Sequence, residues 1–185
     1  VAANTLLTTI DYEYMLRDSR AVALIVSASL LPAFAPLFGK LPDLKHVIVS
    51  DGEPGGHQAF ASLLAAADPE FAPAETTCDD TCFWLYSSGS TGAPKGALHV
   101  HSSLIQAYEL YARPILGIRE DDLVFSAAKL FFAYGLNNGL TFPMAAGATA
   151  VLMAERPTPA AVFARLCKHQ PTIFYGVPTL YGAML

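Results

Sequence analysis

The chain has 185 residues, and at about 150 residues per domain that length predicts one domain or a large piece of one. Apolar residues make up 53% and charged residues 15%, a balance that excludes disorder and leaves enough apolar surface for a core without staples. Eleven Lys and Arg against sixteen Asp and Glu give a net charge of −5, which lacks the basic field that a nucleic-acid or anionic-membrane binder needs. Three cysteines imply no disulfide framework, so a reducing cytoplasm is expected. The start at Val1, with no basic and apolar secretory leader, and the end at Leu185 inside an apolar run predict a piece of a longer chain.

Taken in order, the chain reads as alternating strands and helices. Ala21–Val26 is expected to be a buried strand, and His46–Ser50 a second one closed by Asp51, Gly52, Pro54 and Gly55. Phe60, Leu63, Leu64 and Ala67 recur at helical spacing, and Asp68-Pro69 ends that helix. A surface linker follows to Asp80. Cys82–Ser87 is an aromatic-rich strand, followed by a Gly/Ser/Thr loop to Gly96 and a strand over Ala97–His101. Ser102 is placed to cap a helix carrying Leu104, Tyr108 and Tyr111. Leu123–Ser126 and Ala148–Leu152 are short strands. Thr158 with Pro159 opens a helix burying Val162, Phe163, Leu166 and Cys167, and Ile173–Tyr175 is the last strand. The pattern predicts an α/β fold with a mostly parallel sheet flanked by helices. Ala21–Gly39 and Leu130–Ala154 carry no charge over nineteen and twenty-five residues, long enough to cross a membrane. Pro32, Pro36, Pro143 and Gly147 divide them into shorter elements, so both read as buried α/β core.

The segment Ser87-Ser88-Gly89-Ser90-Thr91-Gly92-Ala93-Pro94-Lys95-Gly96 carries chemistry. Its hydroxyls, its glycines, which let backbone N–H groups approach an anion, and the mobile charge of Lys95 suit a polyphosphate. The Gly89-to-Lys95 spacing matches a Walker loop. Pro94 before the Lys, Gly96 after it and a strand in place of a helix disfavour a P-loop NTPase.

This ten-residue run resembles the signature loop of the adenylate-forming superfamily, which comprises acyl-CoA synthetases, peptide-synthetase adenylation domains and luciferases. Asp11–Val26, Gly117–Ser126 and Gly176-Val-Pro-Thr-Leu-Tyr181 resemble further segments of that family. Lys129-Leu-Phe-Phe-Ala-Tyr-Gly-Leu-Asn-Asn138 resembles the acyl-pocket segment of benzoate–CoA ligases and their aryl relatives, departing at Asn137, where those carry Gly. The resemblance covers residues 1–185 and implies part of a large N-terminal AMP-binding domain, with the C-terminal domain outside the chain.

The implied reaction activates an aromatic carboxylate, foremost benzoate, with ATP to acyl-AMP and pyrophosphate, then transfers the acyl group to coenzyme A. ATP and coenzyme A are the implied co-substrates, and Mg2+ the implied ion, its ligand lying outside this chain. By resemblance Ser87, Ser88, Gly89, Ser90, Thr91, Gly92, Ala93, Pro94 and Lys95 hold the β and γ phosphates, with Lys95 neutralising charge. Phe132, Ala133, Tyr134 and Gly135 line the acid slot; without the resemblance, the same aromatics read as ordinary core. Loading of a carrier protein in place of coenzyme A, or a non-catalytic nucleotide-binding fragment, are the alternatives.

Other candidates are weaker. His99 and His101 alternate on one strand with no third ligand at a telling spacing. Cys78 and Cys82 lack a matching zinc partner set and are expected to be buried or incidental thiols. Asp121 and Asp122 follow Arg119 and Glu120 in what reads as a solvated turn. No metal site, nucleic-acid partner or membrane partner is expected.

Overall fold

The computed structural model describes residues 1–87 and 94–185, which divide into two compact units. The first comprises Val1, Ala3–Thr76 and Tyr86–Gly96, and the second Ala2, Thr77–Leu85 and Ala97–Leu185.

In the first unit, helix α1 (Thr9–Asp18) starts where Thr8 and Asp11 exchange hydrogen bonds in a capping box, satisfying N–H groups that the first turn leaves unpaired. Its inward face buries Tyr12 and Met15. Strand β1 (Ala23–Val26) leads through helical turns that include α2 (Leu31–Phe34), where Pro32 sits in the first turn, as its missing N–H permits. Strands β2 (His46–Val49) and β3 (Gln58–Ala59) complete a parallel sheet of order β1-β2-β3, pairing Val26 with Val49 and Val49 with Ala59. Tyr12 stacks on Phe34 with centroids 4.3 Å apart, and Val26, Leu37 and Leu41 close this core. The expected buried strand is half right: Val26 is buried, but Ile25, on the opposite face, is 60% exposed. Helix α3 (Phe60–Ala66) forms as its periodicity predicts, yet buries none of its residues.

Strands β4 (Thr81–Ser87) and β5 (Lys95–Val100) pair in a two-stranded sheet, with Phe83 stacked on His99 at 4.7 Å. β5 starts two residues earlier than the sequence suggests, so Lys95 belongs to the strand. The expected sheet is thus divided over three separate sheets among the described residues, two of them parallel.

In the second unit, α4 (Ser102–Ala107) continues into a π-helical stretch over Tyr108–Leu116 that contains Pro114. Ser102 is its first helical residue; His101 occupies the cap position, already in helical conformation, so the expected serine cap does not form. Strand β6 (Leu123–Ser126) is the centre of a parallel sheet of order β7-β6-β8. Successive side chains of β6 serve opposite faces. Val124 packs with Ala112, Ile118, Phe142 and Tyr175, while Phe125 packs with Ala127, Met153, Val162 and Leu180. The long uncharged stretch resolves into α5 (Ala133–Leu136), a π-helical turn over Asn137–Thr141, α6 (Phe142–Ala146), and β7 (Thr149–Val151). Gly147, at φ +77°, ends α6 in the left-handed conformation that favours glycine. Among the described residues no helix is long and apolar enough to cross a membrane.

Helix α7 (Pro159–His169) is capped by Thr158, whose hydroxyl accepts from the Ala161 N–H. It buries Val162 fully, but Phe163 and Cys167 are exposed, correcting the wider apolar face expected of it. Strand β8 (Ile173–Tyr175) and helix α8 (Pro178–Met184) complete the unit.

Candidate active site

Six of the expected phosphate-binding residues, Ser88, Gly89, Ser90, Thr91, Gly92 and Ala93, lie outside the described residues. Their two stems are described. Ser87 ends β4 and is exposed; Pro94 is half-buried; Lys95 opens β5 and is exposed. The residue before Ser87 is anchored: the Tyr86 hydroxyl donates to Asp18 Oδ2 at 2.6 Å, and Tyr14 meets the Tyr86 ring edge-on at 6.5 Å. Burial first, and then the Asp18 carboxylate, push the Tyr86 phenol well above its ordinary value of 10.0. Asp18 stands in the last turn of α1, where the helix dipole disfavours an anion, so its bond to Tyr86 offsets a local cost.

The expected acid slot is built on the chain leaving β6. In parallel α/β sheets ligands bind beyond the carboxyl ends of the strands, and β6, β7 and β8 end at Ser126, Val151 and Tyr175. After β6 the backbone turns at Lys129, whose carbonyl accepts from the Phe132 N–H at 3.1 Å, and Phe132 caps α5. Phe132 and Tyr134 are 49% and 45% exposed, and Ala133 between them is exposed as well. The Tyr134 hydroxyl donates to the Gly176 carbonyl at 3.2 Å, joining α5 to the exit of β8, and its ring meets Tyr175 edge-on at 6.3 Å. Phe132, Ala133 and Tyr134 thus leave two flat rings and one methyl group exposed on the turn that opens α5. Gly135 differs from them. It is buried, and a Cβ there would stand 2.0 Å from the Lys129 carbonyl oxygen. Its smallness serves a close backbone approach.

Three features here carried no sequence signal. The Lys129 ammonium donates to the carbonyls of Met153, Ala154 and Glu155 at 2.6, 2.7 and 2.6 Å. Burial lowers its pKa from the ordinary value. The hydroxyls of Ser126 and Tyr175, neighbours in the β6–β8 register, are buried with no hydrogen-bond partner among the described residues. Burial, with the negative charge Tyr111 and Tyr134 would carry if ionised, pushes the Tyr175 phenol up to about 12. A lone Ser or Tyr in an apolar run gives no hint of such orphaning, because it depends on which helix covers the strand.

The remaining candidates resolve simply. Among the described residues no group of three His, Cys, Asp or Glu could hold a metal ion. Cys78, Cys82 and Cys167 are all exposed free thiols, which removes burial as their reason. Asp121 is exposed, with Arg119 3.9 Å away. Asp122 is no idle turn residue: it accepts from the Thr172 hydroxyl at 2.7 Å and from the Arg119 N–H at 2.8 Å, tying the start of β6 to the chain entering β8.

A parallel sheet with an aromatic-bearing loop at its carboxyl edge, and a strand pair joined by a hydroxyl- and glycine-rich sequence, agree with the AMP-binding enzyme family, whose profile matches residues 1–185. The chain belongs to that family. Among its relatives is the benzoate–CoA ligase of Thauera aromatica, 68% identical over the whole of this chain and 35% of that protein. A solved benzoate CoA ligase from Burkholderia xenovorans LB400 is 54% identical with a TM-score of 0.87, over 98% of this chain and 35% of that one. The anthranilate CoA ligase AuaEII, solved in complex with anthranoyl-AMP, is 38% identical with a TM-score of 0.93, over 98% of this chain and 36% of that one. The chain thus spans about a third of the length of the relatives it matches.

Proposed function

We propose that the protein to which this chain belongs is an aryl-CoA ligase of the benzoate–CoA ligase type, and that residues 1–185 form part of its N-terminal AMP-binding domain. A carboxylate is a poor electrophile. In the first half-reaction a benzoate oxygen attacks the α-phosphorus of ATP, the bond to pyrophosphate breaks, and benzoyl-AMP forms. In the second the coenzyme A thiol, losing its proton, attacks the acyl carbon and AMP departs. Ser87, Ser88, Gly89, Ser90, Thr91, Gly92, Ala93 and Pro94 cradle the β and γ phosphates, and Lys95 neutralises charge moving onto pyrophosphate. Phe132, Ala133 and Tyr134 face the aromatic ring, while Gly135 lets α5 close down on the Lys129 turn. The Mg2+ that accompanies ATP would be held by a ligand in the rest of the protein and by the phosphates themselves. Such a ligase would work in the cytoplasm, at the entry to aromatic-compound degradation.

The observation that carries this reading is the exposed Phe132–Ala133–Tyr134 stretch on the chain leaving β6, in a chain 68% identical to a benzoate–CoA ligase. The test is benzoate-dependent ATP–pyrophosphate exchange by the full-length protein. The intact protein should exchange, and Lys95→Ala should slow exchange by about tenfold or more, the scale of losing one charge-stabilising group. Exchange without benzoate dependence, or an unaltered rate in the variant, would overturn the assignment.

A further inference from the structure

We propose that Lys129 is a positioning residue that sets the selectivity of the acid slot; the inference rests on the reading above. The side chain bridges two strand exits. An ammonium has three N–H donors and no acceptor, and here all three are spent on consecutive carbonyls just past β7: Met153, Ala154 and Glu155. These bonds are charge-assisted and therefore short. The target is itself held, since the Glu155 carboxylate pairs with Arg165 of α7 at 2.5 Å. The other end of Lys129 is equally fixed. Its carbonyl accepts from the Phe132 N–H at 3.1 Å, and Gly135 lies so close above it that no side chain fits between.

Lys129 is thus gripped at the ammonium by the β7 exit and at the carbonyl by the first turn of α5. Phe132, Ala133 and Tyr134 ride on that turn, and Tyr134 reaches from it to Gly176 beyond β8. Lys129 fastens the β6 and β7 exits to each other, and Tyr134 extends the link to β8. Its ammonium faces backbone carbonyls, so its effect on an aromatic acid passes through the placement of α5. Loss of the three donors leaves the Lys129 turn and α5 free to shift against the β7 exit, which widens and loosens the slot; no group in this linkage belongs to the run over residues 87–95.

The test uses the full-length protein with Lys129→Met, which keeps the apolar stem and removes the donors, and Lys129→Arg, which keeps the charge but cannot match three consecutive carbonyls with its planar fork. KM for benzoate and KM for ATP are measured separately, along with kcat/KM for benzoate and for a para-substituted benzoate. In Lys129→Met the benzoate KM should rise about tenfold, the range expected when a positioning group far from the chemistry is lost. The ATP KM should stay within about twofold and discrimination against the bulkier acid should fall. Lys129→Arg should show the same split at smaller size, and it decides the matter if Lys129→Met does not fold. A parallel rise in both KM values, or unchanged acid selectivity in the variant that folds, would overturn the proposal. Absence of benzoate-dependent exchange in the unsubstituted protein would defeat the functional reading itself, and is told apart by being measured first.

Discussion

At Gly135 the backbone of α5 lies against the carbonyls of Lys129 and Ala128, and an added Cβ would come within 2.0 and 2.9 Å of their oxygens. Neither neighbour is a flexible side-chain tip, so Gly135→Ala must displace the backbone of α5 or of the turn beneath it. We expect it to destabilise the fold by about 1–3 kcal/mol, the usual cost of overpacking, as read from the denaturant midpoint. A midpoint equal to that of the parent chain would show that the turn yields freely. The sequence made Gly135 visible as a small residue among aromatics, a pattern equally consistent with a slot floor and with core packing. What it could not convey is the inward direction of the missing Cβ, because that follows from the tight Lys129–Phe132 turn and not from composition. For the same reason Lys129 gave no signal: its partners are backbone carbonyls about two dozen residues away, and carbonyls leave no mark in a sequence.

At the scale of elements, β6 and β8 are joined at their starts by side chains as well as by the ladder. The Thr172 hydroxyl donates to Asp122, and the Leu123 N–H donates to Thr172. These bonds, the Thr172 hydroxyl first and the Arg119 N–H second, hold the Asp122 carboxyl below its ordinary 3.8. A carboxyl lowered on folding stabilises the fold above its unfolded value and ceases to do so as pH falls through the folded one. The chain should therefore lose this contribution between about pH 5 and a pH below 3.8. Thr172→Val should flatten that limb of the stability-against-pH curve, and an unchanged curve would remove the tie from the account. Helix existence was legible wherever caps and periodicity agreed, as at Thr158 and Pro159. Burial was not, because α3 and α7 show the apolar spacing of packed helices while Phe60, Leu64 and Phe163 are exposed.

For the molecule as a whole, exposed Leu6, Ile10, Ile25, Leu64 and Phe71 are more apolar surface than a finished small domain usually presents. The relatives are about three times as long as this chain. Both facts favour a part that is completed by further protein. The purified 185-residue chain should accordingly form no benzoyl-CoA from benzoate, ATP and coenzyme A, with product followed by chromatography; detectable turnover would mean that the described units and their loop suffice. The α/β class could be read from the sequence because strand–helix alternation is a local pattern; the hydroxyl–glycine run is as local, but its residues 88–93 lie outside the described residues. The division of the strands into separate sheets could not, since it is decided by pairing between distant segments.

The anchoring of Tyr86 has a bearing on how such a stem receives an anion. A phenol that ionised next to Ser87 would set a negative charge beside the place where triphosphate is expected to lie, and like charges would repel. With its proton directed at Asp18 and its acidity suppressed, the ring stays neutral where an ordinary phenol would begin to ionise, and adds no second charge to that of the Asp18 carboxylate.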